Sequence, residues 1–362
     1  MLLASIDLGS SLTKSFYLNG GMPCPLLMPP EIAWVQPELL GKYQSVNAEA
    51  QPDKVAWVQL GDEIAAVGQF AQGFAGDQGL VERKQRRAIY KLLAVLGVVR
   101  EKLDLPTTTT ASLSLMLPVT EFSDRKTLQT TLQEAAQNFN FRGRSLSISF
   151  NKLQILPEGF GLFLTRRAEL LKQGINAKSR MIIVLMFGHR NLSILVFQDG
   201  VLQGSSRSDG PGFFQAVEIV ASLKGLSTAT PGLTEAIATN QPRLRVAGQL
   251  IPLDLTDAIA SAREGYCRQV KSYLENHLPG DQYDVIVAGG ASAVIHPELN
   301  ELFQVMGLGD RVSFGEGLQH QLAGLLRDDS TLAEQPSLLT RMADIYAVFG
   351  ATWAMHRQQS AA

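Results

Sequence analysis

With two cysteines, Cys24 and Cys267, in 362 residues, the chain has no material for a disulfide framework, and no CxxC pair suggests a zinc ribbon. That usage fits a reducing cytoplasm. Histidine is also sparse, and the five residues at 189, 277, 296, 320 and 356 are too scattered to suggest a metal site. Charge of one sign is missing as well: 32 Lys and Arg against 34 Asp and Glu leave a net −2. That balance argues against direct nucleic-acid binding or an anionic-membrane partner, so any DNA contact is expected to pass through another protein. The longest apolar runs, such as 181–187, fall far short of the roughly 20 residues a membrane helix needs. The opening MLLASIDLGSS has no basic segment before its apolar stretch and carries Asp7, so it reads as a strand and not as a signal peptide. No GxxxxGKS/T loop, no GxGxxG and no Ser/His/Asp constellation is present. These absences together predict a soluble, cytoplasmic protein.

What is present is a globular composition, 45% hydrophobic and 18% charged, in a length that suggests two domains. Residues 1–165, rejoined by a helix at 337–357, are expected to form the first and 166–336 the second. The apolar run 2–8 and the alternating 13–18 predict a hairpin with a Gly/Ser tip. The Gly- and Pro-rich 20–30 reads as a loop, and Gly61-Asp62 as the turn of a second hairpin over 55–68. Helices are predicted at 81–96, with a basic start at 82–87, and at 123–138 with Ser123 as N-cap. Strands are predicted at 113–117, 146–150 and 152–156, followed by a helix at 161–172. The second half repeats the opening plan: strand 181–187, a tight turn at 188–191, strand 192–197, then helices at 213–223 and 254–274 and a buried strand at 285–288. A strand, glycine turn and strand at both residue 7 and residue 188 suggest two related lobes.

Four segments carry candidate chemistry. The tip Gly9-Ser10-Ser11-Leu12-Thr13-Lys14 is either an ordinary polar hairpin or a phosphate cradle of backbone N–H groups and hydroxyls, with Lys14 neutralising a phosphate and Asp7 holding Mg2+ through water. Gly188-His189-Arg190-Asn191 is either a second polar hairpin tip or a loop closing on a phosphate chain, with Arg190 and Asn191 as hydrogen-bond donors to it. Val285–Ala288 running into Gly289-Gly290-Ala291 either turns plainly or lets backbone approach a flat ligand. Glu158, after Pro157, is a solvated loop residue or a carboxylate orienting a water for attack on a γ-phosphate.

In this order, together with Met116-Leu117-Pro118-Val119, Asp124-Arg125 and the final Met342-Ala343-Asp344-Ile345-Tyr346-Ala347-Val348-Phe349-Gly350, the segments resemble the actin-like ATPases. The likeness is strongest to the ParM/StbA plasmid-partition actins and the related archaeal actin-like proteins, and it spans essentially the whole chain. The resemblance implies an α/β, two-lobed actin-like ATPase fold: two related ribonuclease H-like domains with a nucleotide cleft between them and the two glycine tips facing each other across it. It further implies ATP or GTP with Mg2+ as cofactors and self-association into filaments. Plasmid or DNA segregation through a DNA-binding adaptor, or a cytoskeletal role, would follow.

Carried over by position, Asp7 and Gly9, Ser10, Ser11, Thr13 and Lys14 resemble the first phosphate loop, and Gly188–Asn191 the second. Glu158 resembles the residue that positions the hydrolytic water, with Asp7 as its catalytic companion. Gly289, Gly290 and Ala291 resemble the adenosine motif, and Gly210 and Gly212 belong to the segment after the second loop. Arg268 and Lys271 lie on the helix expected beside the adenine. The sequence departs from the family where the second loop should begin and end with aspartate: Met186 and Ser193 stand there, and Arg190 replaces a small residue. This departure favours, as alternatives, a hydrolysis-poor scaffold or regulator; a small-molecule kinase on the same fold would want a substrate aspartate in the first lobe, and none is evident.

Overall fold

β1 (Leu2–Leu8), β2 (Thr13–Asn19) and β3 (Met22–Met28) form an antiparallel meander in a computed structural model that describes residues 1–44, 50–74, 76, 85–176, 180–280, 282–327 and 336–361. The chain divides into two units, one of Met1–Glu158 with Ile345–Ala362 and the other of Gly159–Asp344. The first unit adds β4 (Ile32–Trp34), β5 (Trp57–Leu60), β6 (Glu63–Val67), β7 (Thr108–Leu117), β8 (Phe139–Phe141) and β9 (Arg144–Pro157). They build a nine-stranded sheet in the order β3-β2-β1-β7-β9-β8-β5-β6-β4, in which β1, β7 and β9 run parallel. The helix Gln85–Lys102 puts Leu92, Leu93, Leu96 and Val99 into the core under this sheet.

In the second unit β10 (Met181–Phe187), β11 (Asn191–Gln198) and β12 (Val201–Leu202) form the corresponding meander, and β13 (Arg207–Pro211) pairs with β11. A small ribbon, β14 (Arg243–Leu244) with β15 (Leu253–Asp254), precedes β16 (Tyr283–Ala288) and β17 (Val312–Ser313). The order β12-β11-β10-β16-β17, with β10, β16 and β17 parallel, repeats β3-β2-β1-β7-β9 strand for strand and direction for direction. The helices Phe214–Lys224 and Thr256–His277 cover its core through Val217, Val220, Tyr266 and Val270.

Several expectations are corrected. Residues 22–28, read as loop, form β3: Pro23 and Pro25 lie on the outermost strand, where a missing N–H breaks no ladder bond. The expected pair 146–150 and 152–156 is one strand, β9, whose register against β7 slips between Ala111 and Ser112 so that Asn151 is left over as a bulge. Ser123 does not cap a helix; Val119–Asp124 is a 3₁₀ turn that leads into the helix Arg125–Ala136. The basic start expected at 82–87 lies partly outside the described residues, and the helix is described from Gln85. No helix among the described residues is long and apolar enough to cross a membrane.

Candidate functional site

The two glycine tips are built alike. In the first unit Leu8 pairs with Thr13, enclosing residues 9–12, and the preceding pair is Asp7 with Lys14. In the second unit Phe187 pairs with Leu192, enclosing 188–191, and the preceding pair is Met186 with Ser193. Each turn opens on a glycine for the same steric reason. A Cβ on Gly9 would stand 2.6 Å from the carbonyl oxygen of Leu12, and one on Gly188 would stand 2.8 Å from that of Asn191. Either contact is closer than side-chain carbon tolerates.

At the first tip Asp7 is buried, its Oδ2 ion-paired to Lys14 Nζ at 2.5 Å, while its Oδ1 is buried without a partner. An orphaned buried carboxylate oxygen costs stability unless something binds it. Thr13 is buried beside it, Gly9, Ser10 and Lys14 are half-buried, and Ser11 is exposed. No group of three His, Cys, Asp or Glu suited to a metal ion occurs among the described residues. One carboxylate with an open oxygen fits a magnesium that takes most of its shell from phosphate and water, and does not fit a resident protein-bound metal.

The second tip is fixed by its neighbours. Phe213 N–H donates to the Gly188 carbonyl at 3.1 Å and Phe214 N–H to that of His189 at 2.9 Å. Asn191 donates through Nδ2 to the Ser208 carbonyl at 2.5 Å, and the hydroxyls of Ser193 and Ser208 lie 2.5 Å apart. Ser193 thus holds the tip in shape where the resemblance would place a carboxylate. His189 packs edge-on against Phe214, and burial, with the charge of Arg341 second, holds its pKa below the ordinary imidazole value. Arg190 is exposed. Gly210 and Gly212 are explained by the protein itself: a Cβ at 210 would enter the Tyr273 ring at 2.5 Å, and one at 212 would collide with the Arg190 carbonyl.

β16 ends beside β10, with Ala288 opposite Met186, and Gly289 turns the chain at φ 97 into Gly290 and the buried Ala291. Arg268 and Lys271, by contrast, are exposed on the helix Thr256–His277 and pair along it with Glu264 at 3.6 Å and Glu275 at 4.0 Å. The face of that helix toward β13 carries Tyr266, whose hydroxyl donates to the Pro211 carbonyl at 3.5 Å, and Tyr273, whose hydroxyl donates to Asp209 at 2.5 Å. Arg207 grips Asp209 with two nitrogens and, with Tyr273, holds its carboxyl well below the usual range.

Glu158 follows β9 with its N–H donating to the Leu117 carbonyl at 2.8 Å. Gly159, at φ 88, then opens the helix Phe160–Lys172. That helix has no cap from its own preceding side chain; Asp344 supplies one, accepting from the N–H of Gly159 at 2.5 Å and of Leu162 at 3.1 Å. A carboxylate there satisfies amides that the helix leaves unpaired and faces the positive end of its dipole. Sequence reasoning gave Asp344 no role, although an aspartate in the apolar stretch Met342–Gly350 wants a buried partner. Asp344→Ala is expected to cost about 1–2 kcal/mol, visible as a lower urea midpoint, with Asp344→Asn losing less. Equal midpoints for all three chains would show that Asp344 does not cap the helix.

No protein-family model matches the chain, and no curated protein matches it in sequence. Solved structures do. The actin-like protein Alp7A is 14% identical over 99% of this chain and 97% of its own, with a TM-score of 0.67. ParM of Clostridium botulinum, in a 15-stranded filament, is 14% identical over 98% and 99%, with a TM-score of 0.66. ParM of Bacillus thuringiensis with ATP is 13% identical over 98% and 99%, with a TM-score of 0.64. The chain has the α/β fold of these actin-like proteins, as the resemblance of its motifs implied.

Proposed function

We propose that this chain is a cytoplasmic, nucleotide-binding actin-like protein that assembles into filaments and works in DNA segregation or as part of a cytoskeleton. The observation that carries the reading is the repeated glycine tip, Gly9–Leu12 in one unit and Gly188–Asn191 in the other, placed alike on two matching sheets. The fold it shares with a ParM structure holding ATP and with a ParM filament supports it further. In this reading Gly9, Ser10, Ser11 and Thr13 contact phosphate and Lys14 neutralises it. Gly188–Asn191 contacts phosphate from the second unit, and Gly289–Ala291 lies along the adenosine. Asp7 would hold Mg2+, and the metal would supply charge neutralisation to the phosphates. The near-neutral chain contacts itself, and reaches DNA through an adaptor.

Light scattering at rising protein concentration tests this. With MgATP, scattering is expected to climb above a critical concentration and to stay flat without nucleotide. Flat traces in both conditions would sink the filament reading. One observation favours a second reading, a scaffold that binds nucleotide and hydrolyses it poorly. The pair Asp7 and Lys14 of the first tip is matched in the second by Met186 and Ser193, which carry no charge to place metal or water. Filaments that form with ATP and release no phosphate would favour it.

A further inference from the structure

The two tips differ in where their cation stands. In the first unit Lys14 comes from the returning strand, directly opposite Asp7. The matching position of the second unit is Ser193, which is buried and hydrogen-bonded to Ser208. Arg190 sits in the tip but is exposed, so binding an anion would require it to order a long side chain.

Another cation reaches the same end of β10 from far along the chain. Arg341, in the final helix Pro336–Ala361, lies with its stem over Gly290, where a Cβ would stand 2.9 Å from its Cδ and 3.0 Å from its Cγ. The helix is docked there by the N–H of Gly289, which donates to the Thr340 carbonyl at 3.4 Å. The positive charge of Arg341 is also felt at His189, within the tip. The absence of a side chain at Gly290 is therefore what lets the arginine stem lie beside the tip and the Gly289-Gly290 turn. A guanidinium is always ionised and presents a planar fork that matches phosphate oxygens. A stem already packed loses less freedom on binding than an exposed one.

We infer that Arg341 is the second unit's phosphate-binding cation, taking the polyphosphate chain of a nucleoside triphosphate in the role that Lys14 has in the first unit. The inference rests on the nucleotide-binding reading above and names a residue that reading does not include.

The test is calorimetric binding of MgATP and of adenosine to the full chain and to Arg341→Gln, Arg341→Lys and Arg190→Ala. Arg341→Gln is expected to weaken MgATP about 10- to 100-fold and to leave adenosine binding as it was. Arg341→Lys should recover part of the loss, and Arg190→Ala should lose less than Arg341→Gln. MgATP binding to Arg341→Gln at wild-type strength would overturn the inference, as would equal weakening of MgATP and adenosine, which marks a packing role. A wild-type chain that binds neither ligand would instead bring down the nucleotide reading itself. Should Arg341→Gln not fold, phenylglyoxal modification of wild-type Arg341, followed by mass spectrometry, gives the same decision. Protection by MgATP and not by adenosine supports the assignment, and labelling indifferent to MgATP overturns it.

Discussion

An Asp284→Ala chain is expected to be less stable than the wild type by about 3–5 kcal/mol. Asp284 lies on β16, an interior strand of the second sheet between β10 and β17, and is almost wholly buried. It accepts from Arg180 Nε at 2.8 Å and from Arg166 at 3.4 Å. Arg166 is itself buried, held also by Glu169 at 3.1 Å and the Arg311 carbonyl at 3.2 Å, and its Nε already has no partner. Removing the aspartate leaves a guanidinium in the interior with one carboxylate instead of two, and an uncompensated buried charge is the costly outcome. Truncating Arg180 should cost much less, because its side chain is 29% exposed against 3% for Asp284. Urea unfolding of the two variants beside the wild type decides the matter. Similar midpoints for Asp284→Ala and Arg180→Ala would show that the network does not hold its charge as described.

The second large effect concerns turnover. If the chain hydrolyses ATP, Glu158→Ala is expected to slow phosphate release by about 100-fold or more while MgATP still binds. The backbone supplies the reason to choose this carboxylate. Glu158 is pinned to the end of β7 by its own N–H, and the chain then turns sharply at Gly159. A residue whose backbone is held on one side by a strand and on the other by a helix start is positioned by rigid elements and not by a free loop. Phosphate release and nucleotide binding, measured on the same preparations, separate the outcomes. Unchanged release in Glu158→Ala would remove the residue from the chemistry. A wild type that binds and does not turn over would leave Met186 and Ser193 as the explanation.

Much of the architecture was legible because it is written locally. The apolar run 2–8, the alternating 13–18, the glycine tips and the return of the same plan at 181–197 are short-range patterns, and the sheets follow them. Features made by distant pairings were not. Asp344 acts on amides 185 and 182 residues away, and Arg341 meets a glycine whose emptiness matters only once the final helix has docked. The network of Arg166 and Asp284 joins residues 118 apart. Prolines misled the reading of 22–28, since nothing in a local window says which strand will be outermost. Arg268 and Lys271 were placed on their helix by the sequence, and the structure adds that both are exposed there and paired along it with Glu264 and Glu275.

The prolines of β3 have one more consequence. In the β2–β3 ladder Pro25 stands opposite Phe16 and Pro23 opposite Leu18, positions from which no N–H is given to β2. Their nitrogens therefore belong to the outer side of the strand. An extended segment from another molecule that tried to lengthen the sheet there would find two of its donors gone. For a protein proposed to assemble with copies of itself, that is a safeguard. At this edge it disfavours the indiscriminate route, strand added to strand, that leads to aggregates.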